Sequence, residues 1–142
     1  MKITSKSKFA VEAMIYLAIN ERPGHAVKLA EISESQSISK SYLEQLFMRM
    51  KNAGLAVGSR GPNGGYSLAR KPELINIAQI IDATEDKLER EVREDPDCCE
   101  LFAQSLWSGL DDAMRLYLRS ISLKDAVDRC RGAKEAEPSE AA

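Results

Sequence analysis

The stretch S-Y-L-E-Q-L-F-M-R-M-K-N-A, residues 41–53, predicts an amphipathic helix. Its apolar residues recur at i, i+3, i+4 and i+7, which places them on one helix face. They are Leu43, Leu46, Phe47 and Met50. Ser41 with Glu44 three residues later is the pattern of an N-terminal capping box, and Gly54 favours a C-terminal stop. The outer face, with Tyr42, Gln45 and Arg49, is therefore free for other contacts.

The segments on either side place this helix in a larger motif. Residues 27–35 predict a shorter helix, and the polar turn S-Q-S-I-S follows it, so the two helices form a helix-turn-helix pattern. Residues 55–70 predict a β-hairpin with the glycine-rich tip R-G-P-N-G-G at 60–65. A hairpin directly after a helix-turn-helix is the wing of a winged-helix fold. We expect a mainly α fold with a small β-hairpin wing and a long C-terminal helix.

Helical periodicity also appears outside this motif. A first helix starts near Ser5 and ends before the turn E-R-P-G at 21–24, and another covers 75–83. A long helix over 98–121 carries two apolar strips, one of them Cys99, Phe102, Leu106, Leu110, Ala113, Tyr117 and Ile121, the other Trp107, Met114 and Leu118. Two apolar faces need two partners, and a second copy of the chain is the natural cover for one of them. A short helix at 122–128 follows.

These elements predict a domain organisation. A winged helix-turn-helix, DNA-binding domain is predicted at 1–84, and a charged, exposed loop follows it at 85–97. A dimerisation helix with a short terminal helix covers 98–130, and the small, polar residues 131–142 predict a disordered tail.

Composition excludes several classes of protein. No apolar run in the 142 residues approaches the ~20 residues of a membrane span, and no secretory signal is visible, so we expect a cytoplasmic protein. A catalytic Ser/His/Asp set, an H-E-x-x-H motif and a phosphate loop are lacking in the sequence, and an enzyme is not expected. Three cysteines in a reducing compartment favour free thiols or a metal site over disulfides.

Charge is divided unevenly along the chain. Residues 1–71 hold eleven basic and five acidic side chains, 11 − 5 = +6, whereas residues 72–142 hold nine and seventeen, 9 − 17 = −8. A basic front and an acidic rear indicate a polyanion-binding surface in the first half.

Three motifs resemble a known family. They are K-I-T-S-K-S-K-F-A-V-E-A-M at 2–14, I-S-K-S-Y-L-E-Q-L-F at 38–47 and R-G-P-N-G-G-Y at 60–66. They are similar to the IscR-like regulators of the Rrf2 family of bacterial transcription factors, and the resemblance covers residues 1 to about 128. It implies a winged-helix homodimer that binds a double-stranded DNA operator, a long dimerisation helix and, in many members, a bound Fe-S cluster.

The candidate DNA contacts follow from residue chemistry. Hydroxyls and free backbone N–H groups at a helix N-terminus can hold a phosphate, Gln can pair with adenine, Glu can accept from cytosine, and an arginine can enter a narrow minor groove. The candidates are Lys28, Ser39, Lys40, Ser41, Tyr42, Glu44, Gln45, Arg49, Arg60 and Gly61. Three alternatives stay open: Glu44 as a cap partner only, Tyr42 as a surface-packing ring, and the wing glycines as turn formers only.

Cys98 and Cys99 are adjacent at the start of the long helix. In the family's usual site a cysteine and a histidine stand where this chain has Leu101 and Gln104. The adjacent pair resembles a smaller group of relatives in which two neighbouring cysteines hold a 2Fe-2S cluster and the partner's first helix supplies the other ligands. The corresponding positions here are Lys8 and Glu12, of which only Glu12 is a suitable ligand.

Each of these residues also has an interpretation that involves no cluster. Glu12 can pair with Lys8 one turn away, Cys99 can be an ordinary buried thiol, His25 can be a surface or phosphate-contacting residue, and Cys130 can be incidental. The resulting hypothesis is a homodimeric regulator that senses redox, iron or nitric-oxide state through an Fe-S cluster on Cys98 and Cys99. A cluster-free regulator with a thiol switch, or with no sensing role, is the alternative. A third possibility is an adaptor that uses only its long helix.

Overall fold

The computed structural model describes residues 1–86 and 94–136. Within those residues the helices are α1 (Ser5–Asn20), α2 (Leu29–Gln36), α3 (Lys40–Asn52), α4 (Ile77–Thr84), α5 (Cys98–Arg119) and α6 (Leu123–Ala136). The strands β1 (Ala56–Ser59) and β2 (Gly65–Leu68) form an antiparallel hairpin between α3 and α4, and a 3-10 turn at Pro72–Leu74 follows it. This order confirms the predicted mainly α, winged-helix fold.

The core lies where α1, α3 and α4 meet. Apolar side chains on the inner face of each helix are excluded from solvent because each helix repeats them every three or four residues. The largest fully buried ones include Met14, Leu17, Leu43, Leu46, Phe47, Met50 and Ile80. The inward positions predicted for α3 are confirmed.

The N-terminus of α3 differs from the prediction. Lys40 is its first residue, and the extended residue Ser39 is the cap, with its hydroxyl accepting a hydrogen bond from the Tyr42 N–H at 3.3 Å. The predicted capping box of Ser41 and Glu44 is therefore wrong: Ser41 lies inside the first turn, where its hydroxyl is past the unpaired N–H groups. Glu44 is exposed and is not needed to cap the helix.

The hairpin is fastened to the helices at three places. Val27 and Tyr66 exchange backbone hydrogen bonds of 2.9 and 2.8 Å, the Leu68 N–H donates to the Glu21 carboxylate at 3.0 Å, and the Tyr66 ring packs on Phe47 with centroids 4.7 Å apart. Gly65 is required beside Val27, because a Cβ on Gly65 would lie 2.3 Å from the Val27 carbonyl oxygen. The wing is thus held firmly at its base.

α5 is a 22-residue helix, about 33 Å long, with no buried residue in the single chain. Two residues of its second predicted strip face its own domain, since Met114 and Leu118 line a groove against α1 and α4, whereas Trp107 is 57% exposed beside the N-terminal segment. Arg115 anchors this side by donating to Asp111 at 3.0 Å and to both oxygens of Asp82. None of the described helices combines the length and the apolar character needed to cross a bilayer.

α6 returns to the core of the winged domain. Leu123 is fully buried, its N–H donates to the Ile75 carbonyl at 2.7 Å, and the Ile77 N–H donates to the Ile121 carbonyl at 3.0 Å. The helix was predicted to end at 128 and the tail to begin at 131, and this is wrong because α6 runs to Ala136. The rest of that tail, and residues 87–93 of the predicted charged loop, lie outside the described residues.

Candidate nucleic-acid interface and cysteine pair

The outer face of α3 carries a band of exposed side chains. Ser41, Glu44 and Gln45, all predicted DNA contacts, lie on this face, and Lys40 is exposed in the first turn. Ser39 is exposed as well, although its hydroxyl accepts the cap hydrogen bond. With the capping box removed, the alternative that Glu44 serves only as a cap partner is lost. Glu44 and Gln45 can both address hydrogen-bonding groups of bases.

Tyr42 and Arg49 have partners within the chain. The half-buried Tyr42 ring makes an edge-to-face contact with Phe9 at 6.1 Å between centroids, which favours the packing alternative for its ring. The Arg49 guanidinium donates to the Thr84 carbonyl at 3.3 Å and to the Asp86 carboxylate at 2.7 Å. Arg49 therefore has partners at the end of α4 within its own chain, and its role as a DNA contact stays a prediction.

A basic cleft of about 510 Å³ lies between the wing, the N-terminal end of α2 and one side of α3. Its cationic side chains are Lys28, Lys40, Lys51 and Arg60. Such a cleft attracts a phosphate chain irrespective of base sequence. Three of these cations were predicted from the sequence and Lys51 was missed, although it lies eleven residues after Lys40 and so on the same side of the helix.

The tip of the wing turns at Gly61. Gly61 has φ +102°, a value that side chains other than glycine rarely adopt, and its N-terminal neighbour Arg60 is exposed. At Gly64 a Cβ would lie 2.6 Å from the Ser59 carbonyl oxygen. These two glycines are needed for the turn itself, and the turn presents Arg60 beside the basic cleft.

Met48 is an exposed residue of α3 that the sequence reasoning overlooked. Its side chain is 62% exposed in the middle of the outer face, three residues after Gln45 and seven after Ser41. The sequence alone indicates this exposure, because the helical spacing puts Met48 on the same outer face as Ser41 and Gln45. Its neighbours Leu46 and Met50 are on the inward face.

Cys98 and Cys99 are the first two residues of α5, and both are exposed. Asp97 caps the helix by accepting a hydrogen bond from the Glu100 N–H at 2.8 Å. Cys99 falls on the exposed apolar strip of α5 but is not itself buried, so the interpretation as an ordinary buried thiol does not hold in the single chain. Both thiols are open to a ligand.

Glu12 lies far from these thiols in the same chain. It lines an apolar groove of about 460 Å³ together with Tyr117 and Leu118, near the opposite end of α5. Cys99 and Tyr117 are eighteen positions apart along the helix, which is about 27 Å. Within the described part of the chain, Glu12 makes no ion pair with Lys8, and no three metal-binding side chains come together. A site using both Glu12 and the cysteines would need two chains.

An exposed polar helix beside a glycine-rich, basic wing defines a winged-helix, DNA-binding class of regulator. The chain belongs to the Rrf2 family, described as an iron-dependent transcriptional regulator, which it matches over residues 3–129. The resemblance predicted from the three motifs is confirmed, and the relatives are transcriptional regulators and not enzymes.

Three individual proteins illustrate this relationship. An HTH-type transcriptional regulator of Neisseria meningitidis serogroup A is 44% identical over 133 residues, covering 91% of this chain and 89% of the relative. The structure of T. potens IscR is similar with a TM-score of 0.73 and 32% identity, covering 99% of this chain and 93% of that one. CymR, the global cysteine regulator of B. subtilis, gives a TM-score of 0.74 and 32% identity, covering 91% and 98%.

Proposed function

We propose that the protein is a homodimeric regulator that reads a DNA operator with α3 in the major groove and the wing beside the minor groove. The observation that supports this most directly is the exposed face of Ser41, Glu44 and Gln45 lying next to the basic cleft. Lys28, Lys40 and Lys51 then neutralise phosphates, Gln45 and Glu44 address base edges, and Arg60 enters the minor groove. We propose that the protein acts on chromosomal DNA in the cytoplasm.

Dimerisation uses the exposed strip of α5. Cys99, Phe102, Leu106, Leu110, Ala113 and Tyr117 share one side of the helix and are all exposed in the single chain. An unpartnered apolar strip of this length is covered well by an identical strip related by a two-fold axis. A dimer also presents two α3 helices to successive turns of a duplex.

An antiparallel pair of α5 helices accounts for the position of Glu12. Residue 108 is midway between Cys99 and Tyr117, so a two-fold axis there sets Cys99 of one chain opposite Tyr117 of the other. Tyr117 lines the same groove as Glu12. The cysteine pair of one chain and Glu12 of its partner are then neighbours.

The sensing site is an Fe-S cluster, of the 2Fe-2S type, held by Cys98 and Cys99 with Glu12 of the second chain. Exposed thiols and a carboxylate suit iron, although this set provides three protein ligands and leaves one position open. When bound, the cluster supplies a redox-, iron- or nitric-oxide-sensitive link between α5 of one chain and α1 of the other. The second candidate, favoured by Leu101 and Gln104 at the usual ligand positions, is a cluster-free regulator with a thiol switch or no sensing role.

DNA binding is tested by a gel-shift titration against salt, using duplexes enriched from a random library by the full-length protein. We expect affinity to fall steeply with salt, and Lys51→Ala to weaken binding to every sequence while lowering the salt slope by about 1. Lys124→Ala is the matched control, because Lys124 lies on α6 and pairs there with Asp128. Salt-independent or absent binding would instead support the adaptor hypothesis.

A further inference from the structure

Met48 presents an exposed apolar side chain in the middle of the proposed base-reading face. Residues three and seven positions earlier, Gln45 and Ser41, share that face, so the three side chains form one line along α3. The Met48 side chain is 62% exposed, in contrast to Leu46 and Met50 beside it in sequence, which are almost fully buried. Folding of the domain therefore makes little use of Met48.

The chemistry of the major groove suggests what such a side chain meets. Bases show mainly hydrogen-bonding groups there, and among the four standard bases thymine alone adds an apolar group, its 5-methyl. A methionine is flexible and polarisable, so it fits closely around a single methyl group. Gln45 and Met48 are about 4.5 Å apart along the helix axis, comparable with the 3.4 Å rise of one base pair.

We infer that Met48 is a specificity-determining residue that selects thymine in the operator by packing on its 5-methyl group. The inference rests on the proposed function, in which α3 enters the major groove. Gln45 then supplies hydrogen bonds at one base pair, and Met48 supplies apolar contact at an adjacent one. The protein then recognises thymine methyl groups of the operator as well as the hydrogen-bond donors and acceptors of its bases.

A uracil scan tests this contact at the level of one methyl group. A duplex enriched from a random library by the full-length protein is remade with each thymine in turn replaced by uracil, which removes only the 5-methyl. Burying one methyl group corresponds to roughly a three- to fivefold change in affinity. We expect the wild-type protein to lose about that factor at one or two thymines of each half-site.

Two variants separate the Met48 contact from other causes of a methyl preference. Met48→Ala should bind the thymine and uracil duplexes equally at those positions, whereas Met48→Leu should retain most of the difference. Leu74→Ala is the matched control, because Leu74 is 64% exposed but lies on the 3-10 turn, outside α3. It should keep the full response to uracil. Thermal unfolding should be unchanged in all three variants, since both sites are exposed.

The outcomes distinguish the two proposals. An enriched duplex whose uracil response is the same in the wild type and in Met48→Ala overturns the methionine contact and leaves DNA binding standing. The methionine contact is likewise overturned, and DNA binding left standing, if the wild-type protein binds an enriched duplex with the same affinity after every thymine-to-uracil replacement. Failure of the protein to enrich any duplex overturns the proposed function together with this inference.

Discussion

Arg49 of α3 and Asp86, just beyond α4, form an ion pair with 2.7 Å between Nη2 and Oδ1. Asp86 also accepts a hydrogen bond from the Lys6 ammonium of α1 at 3.0 Å. One carboxylate thus joins three helices of the winged domain, including the helix that we propose reads DNA. Asp86 lies twelve residues before Cys98 in the sequence.

The pKa of Asp86 should report this junction. The hydrogen bond from Arg49, and secondly that from Lys6, lower the pKa of the Asp86 carboxyl from its ordinary value. Arg49→Gln should therefore raise this pKa, and Lys6→Gln should raise it by a smaller amount. The measurement is an NMR titration of the side-chain carboxyl carbon. Asp125 is the internal control, since its pKa is lowered mainly by hydrogen bonds with Ser122 and should not move.

The same pair gives stability a defined dependence on pH. A carboxyl whose pKa is lower in the folded state contributes stability above its unfolded pKa of about 3.9, and this contribution is lost as pH falls through the folded pKa. Asp86→Asn should therefore be less stable than the wild type at neutral pH, and the two should converge in acid. Because Asp86 is exposed, the difference is small. Denaturant unfolding across pH 2–7 measures it, and a gap that widens in acid would contradict this assignment.

Leu106→Glu should dissociate the proposed dimer. Leu106 is near the middle of the exposed strip of α5, and a carboxylate there would be buried against the second copy, weakening association by about 2 kcal/mol or more. Leu101→Glu is the matched control on the same helix, because at 100° per residue it lies about 140° away from Leu106. Sedimentation velocity should show a monomer for the first variant and a dimer for the second. Two monomers, or two dimers, would exclude this strip as the interface.

Cluster binding is tested by measuring the visible absorption, iron content and sulfide content of protein isolated without oxygen. We expect visible absorption with iron and sulfide in the wild type, loss of both in Cys98→Ser and in Cys99→Ser, and retention in Cys130→Ser. Glu12→Ala should retain less cluster without a change in folding, since Glu12 is exposed. A colourless, iron-free dimer that still binds its operator would favour the cluster-free alternative. Full retention in Glu12→Ala would remove Glu12 from the ligands.

Gly65→Ala should loosen the wing. Its methyl group would collide with the backbone of Val27, and overpacking of this kind costs about 1–3 kcal/mol of unfolding free energy. Gly132→Ala is a control of opposite sign, because Gly132 lies in α6 with open space around it, and alanine favours a helix by up to about 1 kcal/mol. Thermal unfolding of the two variants tests both signs. If Gly65→Ala and the wild type were equally stable, the backbone at Val27 would have to shift without cost to accommodate the added methyl group.

Local patterns in the sequence predicted the elements better than their connections. The 3.6-residue period located α3, α4 and α5, and the glycines located the hairpin. Two serines at 39 and 41 both suited the cap of α3, and the choice depended on backbone conformation, which a sequence pattern does not contain. The direction of Arg49 and the burial of Leu123 likewise depend on residues distant in sequence.

The candidate site was predicted by residue type more than by geometry. Lys28, Lys40 and Arg60 line one cleft as their charge suggested, whereas Lys51 and Met48 were overlooked because each was considered only as part of a helix. Glu12 and the cysteines could be linked through the family resemblance, but their separation along α5 becomes apparent only in three dimensions.

Because Leu123 is buried in the winged domain, α5 is fixed at one end and can rotate as a rigid rod about that end. Two backbone hydrogen bonds between residues 75–77 and 121–123 fix the C-terminal end of α5 to the winged domain. The cysteine pair is at the other end, about 33 Å away. A rotation of α5 by a few degrees about this fixed end displaces the cysteines by more than an ångström. Conversely, a small displacement of the cysteines exerts a torque on the winged domain at the attached end of the helix.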